Sequence, residues 1–117
     1  MNPAARDMLL DRREGEILRR EAEYGARIAA RKQVLRRWAD EDLVRDAEFT
    51  RLQAGDLTDQ DLAAIRTRRM HEDARRDAEL ASWALENEAV VARMRREDGE
   101  YAAAEAALFG VGVANGP

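Results

Sequence analysis

The two prolines of the chain lie at its ends, as Pro3 and Pro117. Proline is the residue that interrupts a helix most strongly, so a helical path through the chain meets one pronounced break, at Ala54-Gly55-Asp56. Alanine, glutamate, arginine and leucine supply most of the residues in between, and they are strong helix formers. The sequence therefore predicts an all-α protein.

Local signals set the ends of two long helices. Asn2 and Pro3 suit the N-cap and the first helical position, and Gly55 suits the left-handed residue just past a helix end. Thr58, with an acidic residue three positions later, predicts a second N-cap. We expect a helical hairpin over 1–108 with a helix at 3–53, a turn at 54–57 and a helix at 58–108, followed by an extended Gly/Val C-terminal tail at 109–117.

The distribution of charge favours antiparallel pairing of these helices. Residues 12–37 contain nine basic and four acidic side chains, whereas residues 77–105 contain three basic and eight acidic ones. Residues 40–61 contain two basic and eight acidic side chains, and residues 66–76 contain five basic and two acidic ones. A chain that turns back near Gly55 places each basic stretch beside an acidic one, which favours this direction over a parallel pairing.

Apolar spacing predicts coiled-coil-like packing between the helices. Leu10, Ile17 and Tyr24 are seven residues apart, and Ile28 and Leu35 continue the pattern after a four-residue shift. We expect these side chains to face a stripe of mostly small residues, with paired positions summing to about 113. The stripe consists of Ala74, Ala78, Ala81, Leu85, Ala89, Ala92, Gly99, Ala102 and Ala106.

The contact surface between the two helices, called the seam below, cannot cover all the apolar side chains. Several are sequence neighbours, such as Leu9 and Leu10, and neighbours on a helix point about 100° apart. Either the first helix breaks near Asp40 and folds back, or other chains cover the second stripe, which is the alternative we favour. The expected protein interface comprises Leu9, Leu18, Val34, Trp38, Trp83, Val90, Phe109, Val111 and Val113.

Composition excludes several chemistries. The chain has no cysteine, one serine (Ser82) and one histidine, His71, so no catalytic residue, metal ligand or cofactor is expected. A paired-carboxylate metal motif needs glutamate three residues before the histidine, where Arg68 stands. Charged residues interrupt every apolar run before membrane-spanning length, and we expect a cytoplasmic protein, or a virion protein if it is viral.

These observations favour a non-enzymatic structural protein that oligomerises or docks on a larger complex. Alanine- and arginine-rich helical chains of this kind occur among bacteriophage virion components, as connector, scaffold or internal proteins. Two alternatives stay open: a secretion-system stalk or export chaperone, and a nucleic-acid-binding protein that uses the arginines between Arg12 and Arg37. The net charge of −4 argues against the nucleic-acid alternative.

Overall fold

A computed structural model describes residues 3–110 as two long α-helices. Helix α1 spans Pro3–Gln53 and helix α2 spans Asp59–Phe109. The predicted all-α helical hairpin is confirmed. Helix α1 continues through Asp40 without a break, so the fold-back alternative is wrong. Phe109, predicted as the first residue of the tail, is the last residue of α2. The other predicted tail residues up to 117, except Gly110, lie outside the described residues.

The chain divides into two compact units. The terminal unit comprises Met1–Gly25 and Leu85–Pro117, and the turn unit comprises Ala26–Ala84. In the terminal unit Arg12 pairs with Glu100 at 2.8 Å, and Glu23 pairs with Arg93. In the turn unit Arg45 pairs with Glu72 at 2.9 Å. Each unit is thus an antiparallel pair of helical segments.

The turn between the helices combines two standard caps. Gly55 adopts φ +74°. Its N–H donates to the carbonyl oxygen of Leu52 at 3.1 Å, and the N–H of Asp56 donates to the carbonyl oxygen of Arg51 at 3.0 Å. This is a Schellman motif. Thr58 and Asp61 form the predicted capping box, in which each backbone N–H donates to the other side chain at 3.0 Å.

The surface between the helices is mainly charged. Among the described residues the buried set contains four glutamates, at 7–9% exposure, and a single hydrophobic residue, Leu9, at 7%. Arginines of the opposite segment pair with Glu48, Glu72 and Glu97, whereas Glu16 pairs with Arg12 and Arg13 of its own helix. Leu10, Ile17, Tyr24 and Leu35, which were expected in the seam, are 44–60% exposed. The buried glutamates are Glu16, Glu48, Glu72 and Glu97.

The predicted seam was wrong because each helix faces its neighbour with a different set of positions. On α1, Leu10 and Ile17 follow the buried residues Leu9 and Glu16 by one position, so they lie about 100° around the helix from the seam. On α2, the stripe expected in the seam is exposed throughout, except for the half-buried Ala106. In observed ion pairs such as Arg45–Glu72 the two residue numbers sum to 117, whereas the expected register had sums of about 113.

We predict opposite effects for two Gly→Ala substitutions. Gly55→Ala forces a side chain into a left-handed conformation and lowers the free energy of unfolding by about 1 kcal/mol. Gly25→Ala, in a helix with no atom within 4 Å of the new Cβ, raises it by about 0.5–1 kcal/mol. Urea denaturation followed by circular dichroism measures both. Equal effects of the two substitutions would contradict the assigned turn.

Candidate interaction surface

Three carboxylates in the seam are each bound by two consecutive arginines of the opposite helix. In the terminal unit Glu97 accepts from Arg19 and from Arg20, the latter at 3.3 Å. In the turn unit Glu48 accepts from Arg68 at 2.7 Å and from Arg69 at 3.3 Å. Two guanidinium groups therefore neutralise one carboxylate and satisfy its oxygens, which is what allows a charge to lie in a packed seam.

The third such carboxylate belongs to Glu41, again in the turn unit. It accepts from Arg75 and from Arg76, the latter at 3.0 Å. Arg76 also donates to the carbonyl of Trp38 at 3.1 Å and to Asp42 at 3.0 Å. A single guanidinium thus connects two acidic side chains and the backbone of α1.

The seven-residue spacing of these groups explains why they recur along the seam. Arg68-Arg69 and Arg75-Arg76 are seven residues apart, as are their acceptors Glu48 and Glu41. A spacing of seven keeps side chains on one face over two helical turns. This recurrence is visible in the sequence, and it is the signal that could have identified the seam in place of the apolar stripe.

Ion pairing in the seam shifts the pKa of its carboxyl groups. The pKa of Glu48 and that of Glu97 lie below the usual glutamate value of 4.5, because Arg68 and Arg19 respectively donate hydrogen bonds to the ionised form. The pKa of Asp98 is also lowered, chiefly by hydrogen bonds from Arg20 and Arg13. For Glu79, desolvation raises the pKa, but hydrogen bonds from Arg37 and Trp38 outweigh it and the net shift is downward.

Two tryptophans stack within the seam of the turn unit. The rings of Trp38 and Trp83 have centroids 5.6 Å apart and planes at 28°. The guanidinium of Arg76 lies 5.4 Å from the Trp38 ring centre, and that of Arg31 lies 5.3 Å from the Trp83 ring centre. Trp38 Nε1 donates to Glu79 at 3.2 Å. Aromatic and cation–π contacts thus join the two segments where both present a bulky ring.

Large apolar side chains lie on the outside of both units. Leu18 is 58% exposed and Leu43 67%, and on α2 Met70 and Leu85 are 62% and 66% exposed. Exposed large hydrophobic side chains thus far outnumber buried ones, since only one hydrophobic residue within 3–110 is buried. The full exposed set is Met8, Leu10, Ile17, Leu18, Tyr24, Leu35, Leu43, Val44, Phe49, Leu52, Met70, Leu80, Leu85 and Val91.

The turn unit also has an apolar cleft beside the turn. Its volume is about 170 Å³, and its walls include Phe49 of α1 together with Leu57, Leu62 and Arg66. Leu57 and Leu62 are half-buried, at the two positions flanking the start of α2 where paired apolar side chains form a hydrophobic staple.

The residues predicted for the protein interface fall into three groups. Leu18 is exposed as expected, whereas Leu9 is buried inside the terminal unit, because it occupies the same helix face as Glu16. Val34, Val90 and Phe109 are half-buried, and so are Trp38 and Trp83, which stack on each other. Val111 and Val113 lie outside the described residues. The prediction is therefore wrong for Leu9, while the exposed set above contains many residues that it omitted.

The basic pairs proposed for nucleic-acid binding are largely engaged within the hairpin. Arg12 donates to Glu100 and Arg13 to Asp98, both at 2.8 Å. Arg19, Arg20 and Arg37 bind carboxylates of α2 in the same way, and Arg31 lies against Trp83. These contacts support the interpretation of the basic stretch as one side of an internal ion-pair network.

Other site types receive no structural support within residues 3–110. No group of three or more histidine, cysteine, aspartate or glutamate side chains there could hold a metal ion, and His71 is exposed. Neither of the two described helices has a segment both long and apolar enough to pass through a bilayer. No protein-family model, no curated protein and no solved structure matches the chain.

We predict that acid weakens the hairpin. A carboxylate whose pKa is lowered in the folded state stabilises that state fully above its unfolded pKa and loses this effect as pH falls through the folded value. The free energy of unfolding is therefore steady near pH 7 and declines below about pH 5. Urea denaturation at a series of pH values tests this. A free energy of unfolding that rises towards pH 3 would contradict it.

We predict that Glu48→Gln lowers the free energy of unfolding by about 1 kcal/mol, because Arg68 and Arg69 lose their shared anion. Glu14→Gln is the matched control. Glu14 is exposed and forms no ion pair with any residue in 3–110, so its neutralisation leaves stability within about 0.5 kcal/mol. A similar decrease in the free energy of unfolding in both variants would contradict the prediction that the position of Glu48 between the helices matters for stability.

Proposed function

We propose that this chain is a non-enzymatic structural protein that assembles with copies of itself through its outer apolar side chains. One observation carries the proposal. Within 3–110 the seam holds four buried glutamates and one buried hydrophobic residue, while fourteen large hydrophobic side chains face outward. In a protein that acts as a monomer, burial of apolar side chains drives folding, and large apolar side chains are the ones most often buried.

Energetics support association as the role of the outer surface. Covering a leucine or phenylalanine side chain is favourable by about 1.5–3 kcal/mol when burial is complete. Several such side chains on one helix face supply enough free energy to offset the cost of association. Phe49, Leu43, Met70 and Leu85 are each more than half exposed, so this free energy is available only to a partner.

The spacing of the outer side chains favours helical partners, and copies of this chain in particular. Leu10, Ile17 and Tyr24 recur every seven residues on α1, and Leu35 and Phe49 are separated by two such intervals. This repeat suits packing against another long helix of the same period. The proposal concerns this surface chemistry and applies equally to a virion and to a secretion apparatus.

The competing function, nucleic-acid binding, has weaker support. Arg12, Arg13, Arg19, Arg20 and Arg37 already pair with carboxylates of α2, and the chain is acidic overall. A phosphate backbone would have to compete with those carboxylates. Such binding would also weaken steeply with salt, whereas association through apolar surface persists or strengthens.

We predict a stable oligomer in solution. Sedimentation velocity over a dilution series should show a species heavier than the 13.2 kDa chain that persists from low to high salt. A monomer at every concentration, with no binding of an apolar dye, would overturn the proposal. Fluorescently labelled duplex DNA in the same salt series tests the alternative, and tight binding with a steep salt dependence would favour it.

A further inference from the structure

We infer that one side of the turn unit is the contact surface for a second copy of this chain, which packs in antiparallel orientation about a two-fold axis. This inference rests on the proposed function and specifies which face is used. The face, called the turn-unit flank below, consists of Leu35, Asp42 and Phe49 on α1, and Arg66, Asp73 and Leu80 on α2.

The structure places these residues on one side of the unit. Within each helix they are seven residues apart, so each set of three occupies one helix face. Phe49 and Arg66 line the same cleft beside the turn, which brings the two faces together. Leu35, Phe49 and Leu80 are 48%, 57% and 49% exposed, so the flank presents apolar area that nothing within the turn unit covers.

The flank has three layers along the helices. Phe49 and Arg66 form the layer nearest the turn, Asp42 and Asp73 form the middle layer, and Leu35 and Leu80 form the third. Neighbouring layers are seven residues apart, which corresponds to about 10 Å along a helix. The charges are therefore separated into a basic layer next to the turn and an acidic layer beyond it.

The charged side chains in these layers differ in how far ion pairs within the hairpin neutralise them. Asp42 pairs with Arg76 at 3.0 Å and Asp73 with Arg45 at 2.9 Å, yet the two side chains stay 58% and 60% exposed. Both arginines also serve a carboxylate of the seam, Glu41 or Glu72. Arg66 is exposed and forms no ion pair with any residue in the described range. The flank therefore carries an unused cation close to two incompletely neutralised anions.

Charge complementarity selects both the occupant and its direction. A second copy placed parallel would bring its acidic layer against the acidic layer of the first, which is unfavourable. An antiparallel copy, related by a two-fold axis between the first and middle layers, brings Arg66 of each chain to Asp73 of the other. The same surface then serves both chains, as an isologous dimer requires, while Phe49 and its cleft are covered.

Charge exchange between Arg66 and Asp73 tests this arrangement. Arg66→Glu and Asp73→Arg each place like charges opposite each other in a homodimer, and each alone should weaken self-association at least about tenfold. Mixed in equal amounts, they should restore association, because every contact in the heterodimer again joins opposite charges. Recovery to within about threefold of the unsubstituted chain is expected. Failure of the mixture to recover would overturn the inference.

Controls separate a wrong face from a wrong function. Arg51→Glu alters a cation that lines a different cleft beside the turn and should leave association unchanged. Phe49→Ser removes apolar area from the flank without touching a seam ion pair, and should also weaken association about tenfold. If the unsubstituted chain associates but none of these changes affects it, the face is wrong and the proposed function stands. If the unsubstituted chain is monomeric, the proposed function itself fails.

Disulfide trapping gives a readout that is independent of affinity. The chain contains no cysteine, so Arg66→Cys and Asp73→Cys each introduce a single thiol. Mixed and oxidised, the two variants should form a mixed disulfide dimer that contains one chain of each, whereas Arg51→Cys mixed with Asp73→Cys should not. Circular dichroism confirms that each variant keeps its helices. Equal trapping in both mixtures would contradict the antiparallel arrangement.

Discussion

The contact on which this hairpin depends is a carboxylate bound by two consecutive arginines of the facing helix. Glu97, Glu48 and Glu41 are each held in this way. A lone buried carboxylate is strongly unfavourable, and two guanidinium groups provide both charge and hydrogen bonds to offset that cost. At Glu48, Arg68 contacts both carboxylate oxygens and Arg69 adds a second hydrogen bond to one of them. Direction and register of the two helices follow from these contacts.

A charged seam has a second effect, which concerns the apolar residues. Since Glu16, Glu48, Glu72 and Glu97 take the positions between the helices, neighbouring hydrophobic residues are rotated to the outside. The hairpin thus separates two kinds of recognition. Ion pairs, which are directional and sensitive to position, define how the chain pairs with itself in each unit, and the exposed apolar area is the surface on which the proposed association with other chains rests.

Much of the fold could be predicted from short-range signals. Gly55 at a helix end and Thr58 with Asp61 at a helix start are features that a few residues determine by their own chemistry, and the structure contains both caps. The choice of seam could not be read so directly. Ile17 beside Glu16 looks like the buried member of the pair on hydrophobicity alone. Glu16 is buried instead, because it binds Arg12 and Arg13 of its own helix, and these arginines in turn pair with Glu100 and Asp98 of α2. The Trp38–Trp83 stack is similar, because it depends on a register that only the paired helices define.

The identity of the cations has a consequence for the chemistry of the hairpin. Lys32 is the single lysine of the chain, and within residues 3–110 the ion pairs of the seam use arginine alone. Guanidinium groups keep their charge far above neutral pH, and the hydrogen bonds that they donate to carboxylates raise the pKa further, as for Arg68 with Glu48 and Arg20 with Asp98. Alkali therefore leaves the network intact. Reagents and enzymes that acylate lysine side chains act at Lys32, and they leave the glutamate–arginine contacts untouched.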